Sequence, residues 1–95
     1  MHQSETLMEK QFFTIVNKLG LHARAAALFV QTASKFESDV VVSKDGEEVS
    51  GKSIMGILML AAAQGSQIEV ATSGRDADAA MEALGQLIKN GFGEL

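Results

Sequence analysis

The sequence predicts an α+β fold in which helices pack on one face of an open β-sheet. Segments rich in β-branched and aromatic residues alternate with segments whose apolar residues recur every three or four positions. Glycines separate these segments and keep the connections short. The predicted order is strand, helix, strand, strand, helix, strand, helix, and short connections favour neighbouring elements within one sheet. The pattern leaves the strand order open, because a ferredoxin-like sheet has almost the same string of elements.

The first half of the chain contains a predicted strand and a predicted helix. Residues 11–16 combine aromatic and β-branched side chains and are typical of a strand. Residues 1–9 are predicted to be a flexible tail, so that a single domain covers residues 10–95. From Ala23 to about Phe36 the apolar residues follow helical spacing, which predicts the first helix.

A hairpin, a short helix, a strand and a long helix are predicted in the rest of the chain. Two strand-like runs flank the dipeptide Asp45-Gly46, which favours a type I′ turn. Residues 53–63 are apolar on nearly every face and predict a short helix, whereas residues 67–72 alternate as a strand does. Beyond them, helical spacing predicts a C-terminal helix that Asp76 caps and Gly91 ends.

The composition is that of one globular domain and excludes several classes of function. The chain has 95 residues, of which 46% are hydrophobic and 21% charged, so it can close one core. It has no cysteine, hence neither disulfides nor thiolate metal sites. A net charge of −4 and five aromatic residues, all phenylalanine, argue against a nucleic-acid partner. With no signal peptide and no long apolar stretch, we expect a cytoplasmic protein without membrane insertion.

The candidate chemistry lies where the first strand gives way to the first helix. The run Asn17-Lys18-Leu19-Gly20-Leu21-His22-Ala23-Arg24 crosses this junction. Free backbone N–H groups and the helix dipole attract anions there, and Arg24 adds a positive charge. Neutral imidazole, the common form of histidine at pH 7, is a nucleophile that can attack phosphorus. His22 and Arg24 therefore suit reversible phosphoryl transfer, although their spacing alone favours a plain solvated loop.

The second predicted helix carries its own candidate features. Ser53 stands where an N-cap residue is expected. The residues that follow are apolar over more of the helix than one buried stripe needs, so part of this surface faces outward and predicts a binding site. His2 lies in a polar segment with no helix terminus or arginine beside it and is predicted to be inert.

Three segments resemble one known family. Gly20-Leu21-His22-Ala23-Arg24 is similar to the active-site signature of the histidine-containing phosphocarrier HPr of the phosphoenolpyruvate-dependent phosphotransferase system. Residues 30–36 and the run Lys52-Ser53-Ile54-Met55-Gly56 resemble further family segments at the expected separations. The similarity extends from about Lys10 to Glu94.

The resemblance implies a fold and an activity. The fold is an open-faced β-sandwich, with three helices on one face of a four-stranded antiparallel sheet. The activity is that of a monomeric phosphocarrier, not an enzyme, with no cofactor and no metal. Enzyme I would place a phosphoryl group on Nδ1 of His22, as pros-phosphohistidine, and IIA proteins would remove it. Arg24 matches the arginine that stabilises the phosphoryl group.

The resemblance also implies regulation and a docking surface on the second helix. Ser53 matches the serine that HPr kinase/phosphorylase modifies in many family members. Ile54, Met55 and Leu58 match the apolar residues on which partner proteins dock.

Ala25 departs from the family pattern, which usually has proline directly after the arginine. Alanine gives up some rigidity in the first helical turn and supplies one more N–H donor. Together with the preceding run Asn17-Lys18-Leu19-Gly20, Ala25 also resembles some carriers of the nitrogen-related branch, which regulate rather than import sugar, so both branches stay open. A regulator that carries no phosphate is a further alternative, against which His22 and Arg24 argue. A ferredoxin-like metal or RNA module lacks the necessary clustered ligands and basic surface.

Overall fold

Four strands, three α-helices and a short 3₁₀ turn follow one another along the chain in the computed structural model, which describes residues 7–94. In order they are β1 (Leu7–Thr14), α1 (Ala23–Ala33), β2 (Asp39–Lys44), β3 (Glu47–Ser50), α2 (Ile54–Met59), β4 (Gln67–Gly74), α3 (Ala77–Lys89) and the 3₁₀ turn (Gly91–Gly93). The predicted order of elements is confirmed.

The four strands form one antiparallel sheet in the order β1-β4-β2-β3. This pairing supplies the strand order that the sequence pattern left open. Along β4 the side chains alternate between buried and more exposed, because successive residues of a strand point to opposite faces of the sheet. The helices cover the buried face only, so the predicted open-faced β-sandwich is confirmed.

The covered face of the sheet and the helices enclose a hydrophobic core. Phe29 of α1, Ile57 of α2 and Leu84 of α3 are fully buried in it. The helix α3 packs on β1 and β4, and α1 contacts both other helices. No helix within residues 7–94 is long and apolar enough to cross a membrane. This packing fixes the position of α1, at whose N-terminus the candidate site lies.

Two predicted chain reversals are confirmed by the backbone. Asp45 and Gly46 have φ angles of 52° and 84°, so both central residues of the hairpin adopt the left-handed conformation of a type I′ turn. Gly91, with a φ angle of 62°, directly follows the C-cap of α3 and ends this helix as predicted.

Several element boundaries differ from the prediction. β1 begins at Leu7, so its first three residues pair with β4 inside the segment predicted to be a tail. The rest of that segment, residues 1–6, lies outside the described residues. α1 ends at Ala33 and α2 at Met59, both before their predicted ends. In α2 the reason is local, because Ala61 has a φ angle of 51° and cannot continue a right-handed helix.

Asp76 occupies the N-cap position of α3 as predicted, and its carbonyl oxygen accepts the first helical hydrogen bond from Ala80 at 2.9 Å, but the predicted capping by its side chain is wrong. Asp76 precedes α3, but its carboxylate makes no hydrogen bond to the first turn of this helix. The carboxylate instead accepts hydrogen bonds from the backbone N–H groups of Glu37 and Ser38, each at 2.9 Å, and from the Ser38 hydroxyl. These bonds, the one from the hydroxyl above all, lower the pKa of Asp76. Asp76 therefore ties the connection between α1 and β2 to the start of α3.

Candidate functional site

His22 occupies the N-cap position of α1. Its backbone is extended, and its carbonyl oxygen accepts the first helical hydrogen bond from Ala26, at 2.8 Å. The N–H groups of Ala23, Arg24 and Ala25 precede that bond, and within residues 7–94 no side chain accepts a hydrogen bond from them. The imidazole therefore stands beside unpaired donors at the positive end of the helix dipole, as the sequence predicts.

The loop that leads to His22 is docked on the segment after α2. Leu21 is buried, and its N–H donates to the carbonyl oxygen of Ala62 at 2.9 Å. Gly20 has a φ angle of 68°, and a Cβ atom at this position would lie 2.5 Å from the same Ala62 oxygen. Only glycine fits this close approach, so the glycine before Leu21 fixes the path by which the chain reaches His22.

Glu94 is the residue that the sequence analysis missed. Its Oε2 atom contacts Nε2 of His22, 72 positions away in the sequence. Left-handed backbone at Gly91, Phe92 and Gly93 turns the chain back after α3, and the buried Phe92 ring anchors that turn in the core. No local pattern around Glu94 signals this contact, because it arises only when the C-terminal turn docks beside α1.

The contact with Glu94 bears on which nitrogen of His22 is occupied by a hydrogen bond. The hydrogen bond from His22, followed by a hydrogen bond from Asn17, lowers the pKa of Glu94, and the charge of Arg24 adds a smaller effect in the same direction. The Glu94 side chain is therefore a carboxylate anion near neutral pH, and it can only accept hydrogen bonds. In the neutral ring, Nε2 is therefore the nitrogen that donates to Glu94, and the lone pair is then on Nδ1.

Asn17 is a second site residue that the sequence did not predict, and it binds the carboxylate oxygen of Glu94 that does not contact His22. Its side chain is fully buried, and its Nδ2 atom donates to Oε1 of Glu94 at 3.0 Å and to the carbonyl oxygen of Gly20 at 2.9 Å. In the sequence, Asn17 stands out only as part of the run before His22. Its side-chain partners could not be inferred, since one of them is 77 positions away.

An open cleft brings the two predicted transfer residues together. It is lined by Lys18, Leu19, His22, Arg24 and Glu94. Arg24 is exposed and makes no salt bridge with any residue in the described part of the chain. Two cationic side chains therefore border the imidazole, which favours the approach of an anionic group.

The predicted features of α2 lie outside this cleft. Ser53 is the N-cap of α2, and its Oγ atom accepts a hydrogen bond from the N–H of Gly56 at 3.0 Å, so the predicted cap is confirmed. Ile54 and Met55 are exposed, Met55 by 68%, whereas Leu58 is only partly exposed. Met59 and the cleft residue Leu19 are further exposed apolar side chains that the prediction did not include. His2 lies outside the described residues.

Most of the chain matches the model of one protein family. The family model described as PTS HPr component phosphorylation site matches residues 9–90. The chain belongs to the HPr family. HPr proteins are phosphocarriers of the phosphotransferase system and are not themselves catalytic enzymes.

Individual HPr proteins are similar over most of their length. The phosphocarrier protein HPr of Neisseria meningitidis serogroup A is 58% identical over 87 residues, which is 92% of this chain and 98% of the relative. The solved structure of HPr-C-His from Thermoanaerobacter tengcongensis superposes with a TM-score of 0.89 at 49% identity, covering 92% of this chain and 98% of that one. A solved HPr dimer from the same organism is 52% identical, with a TM-score of 0.74 and coverage of 86% and 94%. These names give the nitrogen-related alternative no specific support.

Proposed function

We propose that this HPr-family chain accepts a phosphoryl group from Enzyme I on Nδ1 of His22 and passes it to IIA proteins. The observation that carries the proposal is the hydrogen bond between Nε2 of His22 and Glu94. It leaves Nδ1 without a hydrogen-bond partner within residues 7–94, at the edge of the open cleft that Arg24 borders. A free lone pair next to unpaired N–H donors is what a phosphoryl acceptor requires.

The covalent changes of the transfer step involve only the His22 ring and the incoming group. The Nδ1 lone pair attacks phosphorus, a bond forms between Nδ1 and phosphorus, and the bond from phosphorus to the donor breaks. The proton on Nε2 stays in place, so the phosphorylated ring carries a positive charge. The Glu94 carboxylate beside Nε2 stabilises this charge. When a nucleophile of an IIA protein attacks phosphorus, the bond between Nδ1 and phosphorus breaks and its electron pair returns to Nδ1, which restores the neutral ring.

The surroundings of His22 supply the charge stabilisation. The free N–H groups of Ala23, Arg24 and Ala25 can donate to oxygens of the transferring group, and the Arg24 guanidinium can approach it from the cleft. Because phosphoryl transfer spreads negative charge over these oxygens, such donors stabilise the transition state without forming covalent bonds.

The proposed partners and surroundings follow from the family and from the exposed surface. The exposed side chains of Ile54 and Met55, with Leu58 beside them, offer an apolar surface on which Enzyme I and IIA proteins would dock. Ser53 precedes this surface, which supports its regulatory phosphorylation by an HPr kinase/phosphorylase.

The carrier would act in the cytoplasm, and it would act as a monomer. Sedimentation at micromolar concentration tests the oligomeric state, because a dimer would have twice the mass of the monomer.

Mapping of the phosphoryl group tests the proposal directly. The protein is incubated with phosphoenolpyruvate and Enzyme I, and the modified residue is located by mass spectrometry under non-acidic conditions that preserve phosphohistidine. We expect the label on His22 and none on His22→Ala, whose thermal unfolding checks that the fold is intact. His2→Ala is the matched control and should be labelled as the wild type is. Acid-labile label on a folded His22→Ala variant would contradict the assignment.

A further inference from the structure

Asn17 is a buried polar residue that the transfer step itself does not use. Its amide nitrogen donates two hydrogen bonds, whereas its Oδ1 atom is buried and has no partner in the described part of the chain. Burying a carbonyl oxygen without a hydrogen-bond partner costs free energy. Any favourable effect of this side chain therefore comes from the two hydrogen bonds that its amide nitrogen donates.

Both partners of this amide nitrogen are acceptors. The Gly20 carbonyl and the Glu94 carboxylate cannot donate, so only an NH₂ group can hold the two together. Gly20 belongs to the loop before α1, and Glu94 belongs to the turn after α3. Asn17 therefore joins the two segments that meet at His22.

We propose that Asn17 is a positioning residue for phosphoryl transfer, which holds the Glu94 carboxylate against Nε2 of His22 so that the lone pair stays on Nδ1. The inference rests on the proposed acceptor role of His22. Asn17 never touches the phosphoryl group and acts through Glu94 alone. An untethered glutamate would sample several rotamers, whereas one oxygen fixed by Asn17 leaves the other facing the ring.

The state of the ring in the unphosphorylated protein gives the first test. Asn17→Asp keeps the shape of the side chain but replaces the donor by a carboxylate that repels Glu94. Gln64→Glu is the matched control, because Gln64 donates to the carbonyl oxygen of Val16, next to Asn17, and does not contact Glu94. NMR shifts of the two ring nitrogens, read where the imidazole is neutral, report its tautomer. We expect Nε2–H alone in the wild type and the control, and the mixture of free histidine in Asn17→Asp.

A double-mutant cycle gives the second test and does not depend on Asn17→Asp folding. Asn17→Ala should slow phosphorylation of His22 by Enzyme I roughly tenfold, as expected for the loss of a charge-assisted hydrogen bond. In a Glu94→Ala background, which lacks both the acceptor of the Asn17 bond and the partner of His22, the same change should slow it little further, because Asn17 acts through Glu94. Asn17→Ala should also raise the pKa of Glu94 toward the ordinary value of 4.5.

The outcomes separate this proposal from the proposed function. Wild-type ring shifts in the folded Asn17 variants, or fully additive effects in the cycle, would overturn the positioning role while His22 remains the acceptor. A wild-type protein that takes no label on His22 would overturn the acceptor role, and the positioning role in transfer with it.

Discussion

Two carboxylates, those of Asp76 and Glu94, each connect segments of the chain that are remote from one another in the sequence. Asp76 binds the connection between α1 and β2, and Glu94 binds the ring of His22. In both cases hydrogen-bond donors 38 or more positions away lower the pKa of the carboxyl, so the fold stabilises its ionised form. The residues next to Asp76 in the sequence suggest a helix cap, and those next to Glu94 suggest no role. The hydrogen-bond donors of both carboxylates lie elsewhere in the sequence, so a local pattern does not include them.

Asp76→Asn should lower thermal stability at pH 7 and have little effect in acid. The folded-state pKa of Asp76 lies below its ordinary value of 3.8, so the unfolded chain binds the proton more readily. The stabilisation is therefore fully present above pH 3.8 and is lost as the pH falls through the lower folded-state value. Unfolding midpoints of both proteins across this pH range are the measurement. Asp45→Asn, at the exposed hairpin tip, is the control, and a difference for Asp76→Asn that persists in strong acid would contradict the prediction.

Arg24→Ala should slow phosphorylation of His22 without abolishing it. The guanidinium stabilises charge on the transferring group but forms no bond to phosphorus, so we expect a loss of about tenfold or more. The initial rate of label transfer from Enzyme I is the measurement. Arg75→Ala, an exposed arginine in the turn before α3, removes the same charge away from the cleft and should leave the rate near that of the wild type. Equal rates for both variants would make Arg24 a solvated side chain only.

The N–H group of Ala25 makes no intrahelical hydrogen bond, so we expect the first turn of α1 to accept a residue that lacks this group. Ala25 is the third residue of the helix, and its N–H precedes the first intrahelical bond. Ala25→Pro should therefore stabilise the fold by about 0.4–1 kcal/mol, because it restricts the unfolded chain. Denaturant unfolding measures this change. Ala27→Pro, two residues further on, removes a helical hydrogen bond and should cost about 3 kcal/mol or more. Marked destabilisation by Ala25→Pro would mean that the ring does not fit at this buried position.

The helix α2 combines a capped start with an exposed apolar face. Ser53→Asp should keep the cap and the thermal stability, since aspartate is a good N-cap residue. Its negative charge lies beside Ile54, so a partner that docks there must desolvate it or meet it with a positive charge. We expect a higher apparent KM of Enzyme I for the carrier, measured by label transfer over a range of carrier concentrations.

Two further variants distinguish the effect of helix capping at position 53 from the effect of a negative charge there. Ser53→Asn is an uncharged cap and should behave as the wild type in transfer. Ser53→Ala should lose roughly 1 kcal/mol of stability with transfer near normal. An unchanged KM in Ser53→Asp would restrict Ser53 to its capping role.

In the whole molecule, the parts that could be predicted are those that depend on neighbouring residues. Helical spacing located α1 and α3, the Asp45-Gly46 dipeptide located the hairpin turn, and the end of β1 placed His22 at a helix start. The strand order and the contacts of Asn17 and Glu94 depend instead on which distant segments pack together. Such contacts leave no periodicity in the sequence, so the position of His22 at a helix start could be predicted, whereas its contact with Glu94 could not.

The long sequence separation between His22 and Glu94 makes the site sensitive to local unfolding. The last turn of the chain is held by the Phe92 ring, by the hydrogen bond from Asn17 and by the contact with His22. If this turn detaches at low denaturant, α1 and the sheet can remain folded while the imidazole loses its carboxylate. Hydrogen exchange in the turn would then be faster than in β4, and carrier activity would be lost before the sheet unfolds.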